Sequence, residues 1–266
     1  MPWIEIDNSK VHYTVRPGGE HAIVFLHGGF GSSSELWAGT MDALPPQWTG
    51  YAIDNFLHSD APPEGYTMSA FARRAAGFVR AMGLHRPVFA GHSMGGGISQ
   101  MTAIEYPDAV GALALVCTGA AMTNHQHRLG RDLLALLQQS GGDIDTMRAI
   151  SAKWFRDPPP EPFFSRYVAR ATHAPLQAMI DAQTSWIEAD LRADLNCITV
   201  PTLVVYAPYD TGRTIDHAKM LLEGIKKSEL ATMTGSGHSP MVETPEAFNA
   251  ALHSFLAQFA LARANV

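Results

Sequence analysis

Five residues, Gly91-His92-Ser93-Met94-Gly95, follow the apolar run Pro87 to Ala90 and precede a helical run that continues from Gly96. A serine with glycines two positions to either side, between a strand and a helix, is the pattern of a nucleophile elbow. The glycines have a steric reason: the turn holds the serine in a strained backbone conformation and brings the flanking positions too close for a Cβ. The hydroxyl is thereby lifted above the sheet, where it can attack a carbonyl carbon. A hydroxyl is a weak nucleophile near neutral pH and needs a base, and the base needs an orienting carboxylate. Both follow downstream, in the order Ser, Asp, His. Asp210 closes the strand and short loop Pro201 to Asp210, and His238 lies in Gly235-Ser236-Gly237-His238-Ser239-Pro240-Met241, after the strand-like Glu229 to Met233. Each residue also has a plain structural use: Ser93 or Asp210 as a helix cap, His238 as a solvated loop residue. Their joint occurrence, each just beyond a strand, favours the chemical assignment, with Asp216 the fallback carboxylate.

Attack on a carbonyl produces an oxyanion, which backbone N–H groups must meet. The glycine-rich run His27-Gly28-Gly29-Phe30-Gly31 stands at the end of the third predicted strand. It nominates the N–H groups of Gly29 and Met94 for this hole, with Phe30 the next candidate.

Short β-branched and aromatic runs alternate with longer helical patterns, as in a parallel sheet with crossover helices. A hairpin is expected first, from Trp3 to Ile6 and Val11 to Val15 around Asp7 to Lys10. Strands are then expected at His21 to Leu26, Tyr51 to Ile53, Pro87 to Ala90, Leu113 to Cys117 and Pro201 to Tyr206. Phe71, Ala75, Phe78, Val79 and Met82 share one face of a helix over Met68 to Met82. From about 120 to 190 the rhythm breaks. Helices are predicted at Asn124 to Gln139, Ile144 to Phe155 and Pro175 to Glu188, with Gly141-Gly142 and Pro158-Pro159-Pro160 between them and no strand. The expected organisation is one core, residues 1–119 and 196–266, with a helical lid over 120–195.

With these residues in place, His27-Gly28-Gly29, Gly91-His92-Ser93-Met94-Gly95-Gly96, Pro201 to Val205 leading to Asp210, and Gly237-His238, the chain resembles the α/β-hydrolase superfamily over essentially its whole length. The resemblance implies an α/β fold with an eight-stranded, mostly parallel sheet, helices on both faces and a helical cap after the sixth strand. It implies a cofactor-free serine hydrolase acting on an ester, a lactone or a similar acyl bond, and it leaves the substrate open because the scaffold hosts many reactions. Serine at the elbow departs from haloalkane dehalogenases and epoxide hydrolases, whose nucleophile is aspartate. Ser239 stands where the C–C hydrolases carry Trp, and Phe30 where proline iminopeptidases carry Pro. Some members draw the acid from the loop after the sixth strand, but Thr118-Gly119-Ala120-Ala121 offers no carboxylate. The stretch Asp54 to Asp60 replaces the glycines common after the fourth strand. A ligand receptor with slow turnover, a cofactor-free oxygenase and a C–C bond hydrolase are the rival readings.

Composition narrows the partners. A net charge of −6 over 266 residues, with both signs mixed, gives no basic stripe for nucleic acid. No apolar stretch approaches the roughly 20 residues that span a bilayer, and the first ten lack a signal-peptide pattern, so the cytoplasm is expected and no membrane partner. Cys117 and Cys197 lack metal-ligand spacing and are read as reduced thiols. His125 and His127 form at most a pair with no third ligand, so no metal is expected. Trp154, Phe155, Phe163, Phe164 and Trp186 suit either an apolar acyl pocket or packing within the lid; Phe30, Trp154 and Trp186 are nominated to touch the small-molecule acyl substrate. Oligomeric state is left open.

Overall fold

The computed structural model describes residues 2–30 and 33–264, so Gly31 of the first glycine-rich loop lies outside the described residues. The strands are β1 (Trp3–Ile6), β2 (Ser9–Arg16), β3 (His21–Leu26), β4 (Trp48–Ile53), β5 (Val88–His92), β6 (Ala112–Val116), β7 (Thr202–Tyr206) and β8 (Ser228–Thr232). They form one eight-stranded sheet in the order β1-β2-β4-β3-β5-β6-β7-β8. β2 is antiparallel to both of its neighbours, and the pairs from β4 to β8 are all parallel. Parallel strands covered on both faces need apolar residues on both, which is why β5 and β6 are buried along their whole length.

Alternation along β3 assigns the two faces. Ile23 and Phe25 join one buried cluster with Trp37, Phe248 and Phe255. It takes in the short helices α1 (Ser33–Leu36) and α2 (Ala38–Asp42) and the long C-terminal α11 (Pro245–Ala264). Val24 and Leu26 join the opposite cluster with Phe71, Phe78 and Ile98, carried by α3 (Met68–Ala81) and α4 (Met94–Glu105). Burying each such side chain contributes about 1.5–3 kcal/mol. The predicted face of α3 is the one that packs, and Thr67 caps the helix by accepting from the Ala70 N–H at 3.1 Å.

Between β6 and β7 come four helices, α5 (Asn124–Ser140), α6 (Ile144–Ala152), α7 (Phe163–His173) and α8 (Leu176–Glu188). A bridge between Ala121 and Asp190 joins the two ends of this segment. α9 (Ile215–Gly224) and α10 (Pro240–Glu243) complete the set. No helix of the described residues is long and apolar enough to cross a membrane.

Several predicted bounds are corrected. The first hairpin turns on two residues, Asp7 and Asn8, both at positive φ (50° and 62°), because Ile6 pairs directly with Ser9. β4 starts three residues earlier than expected, at Trp48. β5 starts after Pro87, which has no N–H to give the ladder, and continues through Gly91 and His92. Cys117 lies past β6 with φ 46°. α6 ends at Ala152, short of Phe155. α7 is an addition to the expected helices, with Phe164, Tyr167, Val168 and Ala171 at helical spacing as its buried residues.

The unusual Asp54 to Asp60 stretch has a physical account. Asp54 is buried and accepts from the Phe56 and Leu57 N–H groups at 3.2 and 2.9 Å. Burial, the strongest influence, would raise its carboxyl; those hydrogen bonds and the nearby His12 and His27 rings outweigh it and hold it at about 2. Arg74 of α3 donates to the Asn55 and Asp60 carbonyls at 3.3 and 2.5 Å. Charged and polar anchors thus shape this loop in place of glycine flexibility.

Candidate active site

The turn between β5 and α4 is built as the sequence requires. Ser93 has φ 53° and ψ −118°, and Met94 opens the helix. Such a conformation costs a non-glycine residue on the order of 1–3 kcal/mol, so the surroundings must impose it. They do: the Ser93 N–H donates to Val116 O at 2.9 Å, extending the β5–β6 ladder, and the Thr118 hydroxyl donates to Ser93 O at 2.7 Å. A Cβ on Gly91 would stand 2.2 Å from Gly95 O, and one on Gly95 would stand 2.4 Å from Leu26 O. Both glycines are therefore steric requirements. As the first residue of α4, Met94 presents an N–H with no carbonyl four residues back to receive it.

Asp210 and His238 meet beyond the ends of β7 and β8. His238 Nδ1 and Asp210 Oδ2 are 2.7 Å apart, and both residues are buried, 5% exposed each. The other carboxylate oxygen, Oδ1, accepts from the Gly212 and Arg213 N–H groups at 2.8 and 3.0 Å. Asp210 therefore does both things its sequence position allowed, tying its own loop with one oxygen and facing histidine with the other. Burial, the largest influence, pushes its carboxyl up, but His238, Arg213 and these hydrogen bonds prevail and hold it below the usual range. The carboxylate is ionised, and the His238 nitrogen facing it carries the proton. The fallback carboxylate, Asp216, is exposed on α9.

The His238 loop is clamped from two directions. His92 donates from Nε2 to the His238 carbonyl at 2.8 Å, and the two rings lie 4.6 Å apart. Burial drives His92 down to about 3, so it stays neutral in this role. Glu243 of α10 accepts from Gly237 N and Ser239 N, both at 3.0 Å, and from Arg156 N at 2.6 Å. One carboxylate thus brackets His238 and ties its loop to the segment after α6. Glu243→Ala is expected to lower kcat by about 10-fold through misplacement of His238, with KM changed less and Glu243→Gln intermediate. Steady-state kinetics of both variants on one ester check this, and unchanged kcat in both would leave the clamp without a part in turnover.

Ser93 and His238 both line a cavity of about 340 Å³ beneath α5–α8. Gly28, Gly29 and Phe30 share its wall with Ser93, so the loop nominated for the oxyanion stands beside the elbow. This follows from register: Leu26 pairs with Gly91, which brings the two strand ends level. His27 fixes the loop from behind. Its Nε2 accepts from Asn55 N at 3.0 Å, so its Nδ1–H donates to Gly28 O at 2.6 Å.

The aromatic residues of the helical segment divide. Trp154 and Trp186 line the cavity, with Trp154 stacked on Phe30 at 5.9 Å and set against His238 at 5.2 Å. Phe155, Phe163 and Phe164 instead pack on one another and on Tyr167. Much of the cavity wall is not marked in the sequence, and three of its polar residues stand out. Tyr167 and Gln183 come from α7 and α8, and Arg213 follows Asp210. Gln183 lies directly over the glycine-rich loop, since a Cβ on Gly29 would fall 1.6 Å from its Nε2. Only the amphipathic face of α8, with Gln183 and Trp186 at helical spacing, hinted at this.

His125 is exposed and His127 partly so, and among the described residues neither belongs to a metal-ligating group. It is the residue between them, Gln126, that matters structurally. Its Nε2 donates to Gly212 O at 2.6 Å, and its Oε1 accepts from Thr123 N and faces His217 Nε2 at 2.9 Å, pinning α5 to the Asp210 loop. Ligand atoms of Cys117, Asp210 and His238 fall within 4.8 Å of one another. Burial pushes the Cys117 thiol well up, and Asp210 adds to this, so Cys117 stands there as a neutral thiol, poorly suited to hold a metal. Both cysteines are free.

This sheet order, the strained serine turn and the Asp210–His238 pair define an α/β hydrolase, and the chain belongs to the alpha/beta hydrolase family, whose model matches residues 23–251. It is 28% identical over 250 residues to the AB hydrolase superfamily protein YisY of Bacillus subtilis, covering 89% of this chain and 90% of that one. Among solved structures it is similar to an esterase from Exiguobacterium antarcticum, with a TM-score of 0.88, 21% identity and coverage of 96% and 98%. It is also similar to Est816, an N-acyl homoserine lactone degrading enzyme, with a TM-score of 0.78, 22% identity and coverage of 96% and 100%.

Proposed function

We propose that this hydrolase cleaves a carboxylic ester, lactone or similar acyl bond through an acyl-enzyme formed on Ser93. The observation that carries the reading is the 2.7 Å Asp210–His238 hydrogen bond, on a histidine that shares one cavity with the strained serine. With Nδ1–H committed to Asp210, His238 Nε2 is the acceptor for the Ser93 proton as Oγ adds to the carbonyl carbon. The carbonyl oxygen becomes an oxyanion held by the N–H groups of Met94 and Gly29, with Phe30 N–H beside them. Collapse expels the leaving alkoxide, which takes the proton from His238. Water then adds to the acyl-enzyme with His238 again as base and releases the acid. Helices α5–α8 act as the lid, and Phe30, Trp154 and Trp186 form an apolar surface for the substrate. The esterase and lactone-degrading relatives of the same fold support the acyl class, and no cofactor is required by these steps.

The test is steady-state turnover of p-nitrophenyl acetate and butyrate. The expected result is saturable hydrolysis with a burst or acyl-enzyme detectable by mass. Tight binding of such esters without turnover would favour a receptor, and O₂ consumption with no ester hydrolysis would favour an oxygenase.

A further inference from the structure

Arg213 is out of place for a surface loop. It lines the cavity, is 9% exposed, and lies three residues beyond Asp210. Its Nη1 donates to Gly212 O at 2.7 Å, whereas its Nε is buried with no acceptor. Among the described residues no carboxylate oxygen comes within 4.0 Å of the guanidinium, and the nearby Asp210 carboxylate is bonded to His238. The guanidinium lies over the Trp186 ring, 5.4 Å from its centroid, and the Trp186 indole N–H is also buried without an acceptor. The other charged residues of the cavity wall, Asp132 and Lys153, are exposed and of opposite sign.

A buried cation with no carboxylate within 4.0 Å is costly even with the Asp210 charge nearby, and an anion with matching geometry offsets that cost. The planar fork of arginine is matched by a carboxylate, which accepts two parallel N–H bonds. The rest of the wall, including Leu133, Ile150 and Ile187, is apolar and suits a hydrocarbon spacer. We infer that Arg213, backed by Trp186, forms a subsite for a carboxylate on the substrate, so that the preferred substrates are acyl compounds with an anionic end apart from the scissile carbonyl. This rests on the acyl-hydrolase reading above and specifies its substrate class.

The experiment compares p-nitrophenyl hydrogen glutarate, which ends in a carboxylate, with p-nitrophenyl pentanoate, which ends in a methyl group. The expected wild-type preference for the carboxylate ester is about 10-fold or more in kcat/KM, expressed mainly in KM. Arg213→Gln removes the preference, and Arg213→Lys restores part of it. If Arg213 only supports Asp210, the wild type shows no preference, or Arg213→Gln lowers both esters by the same factor; either result overturns the subsite. A binding measurement keeps the test independent of turnover and of how well the variants fold. Pentanoate should raise the unfolding temperature of the wild type more than pentanamide does, and equal effects would overturn the subsite. Failure to hydrolyse either ester would strike at the acyl-hydrolase reading instead, with the pentanoate comparison then deciding the fate of the subsite alone.

Discussion

Replacing Ser93 by alanine is expected to lower kcat/KM for any accepted ester by about 10³-fold or more, and His238→Ala by a similar factor. In the proposed mechanism the two act as one chemical unit, so the double variant should be little worse than either single one. Both should remain folded. Ser93 holds a positive φ of 53°, a conformation that alanine tolerates no better, but the ladder bond from its N–H to Val116 O and the glycines around it do not depend on the hydroxyl. Circular dichroism and thermal unfolding establish the fold, and kinetics on p-nitrophenyl butyrate establish the loss. A folded Ser93→Ala variant with near wild-type turnover would remove the nucleophile from the account.

Asp210→Asn is expected to cost roughly 10³ to 10⁴-fold in kcat, through the histidine tautomer. Oδ1 of Asp210 accepts from two backbone N–H groups, Gly212 and Arg213. An asparagine keeps those bonds by turning its carbonyl oxygen toward them, which points its NH₂ at His238 Nδ1. That nitrogen must then be the acceptor, so the proton moves to Nε2, where it faces the cavity and cannot accept from serine. The same substitution removes the negative charge that stabilises the imidazolium. Asp210→Ala should lose activity and stability together, because the loop bonds go as well. The comparison is kcat and unfolding temperature for both variants, and an Asp210→Asn enzyme within a few-fold of wild type would send the search to another carboxylate.

Much of this site is written in short local patterns. Gly91 to Gly95 could be read because the close approach of backbone around a strained serine leaves few alternatives to glycine, and the 2.2 and 2.4 Å distances from hypothetical Cβ atoms show why. Asp210 could be read because it follows the β-branched, apolar run of the buried β7, and His238 because it follows β8, the partly exposed strand at the sheet's edge, and parallel strands end on one edge. The roles that escaped depend on residues far apart in the chain. Glu243 reads as a helix residue, yet it holds Gly237, Ser239 and Arg156 together. Arg213 reads as a surface charge, yet the Asp210 turn and Trp186 of α8 enclose it. α7 is hidden for another reason: the prolines at 158–160 and at 162 mark a break, and they mask the helical spacing of its four buried positions. The aromatic residues of the helical segment could not be sorted from composition, since only the packed arrangement sends Trp154 and Trp186 to the cavity and Phe155, Phe163 and Phe164 to one another.

The most direct test of the central claim is covalent labelling with a fluorophosphonate, followed by intact mass and peptide mapping. Fluoride leaves as the serine oxygen bonds to phosphorus, so the label reports a nucleophile that its own base has activated. The account predicts one phosphonyl group per chain, carried by the peptide that contains Ser93, absent in Ser93→Ala and formed at least about 100-fold more slowly in His238→Ala. A protein that hydrolyses esters while Ser93 stays unlabelled, or that takes the label on another residue with activity lost in step, would contradict it.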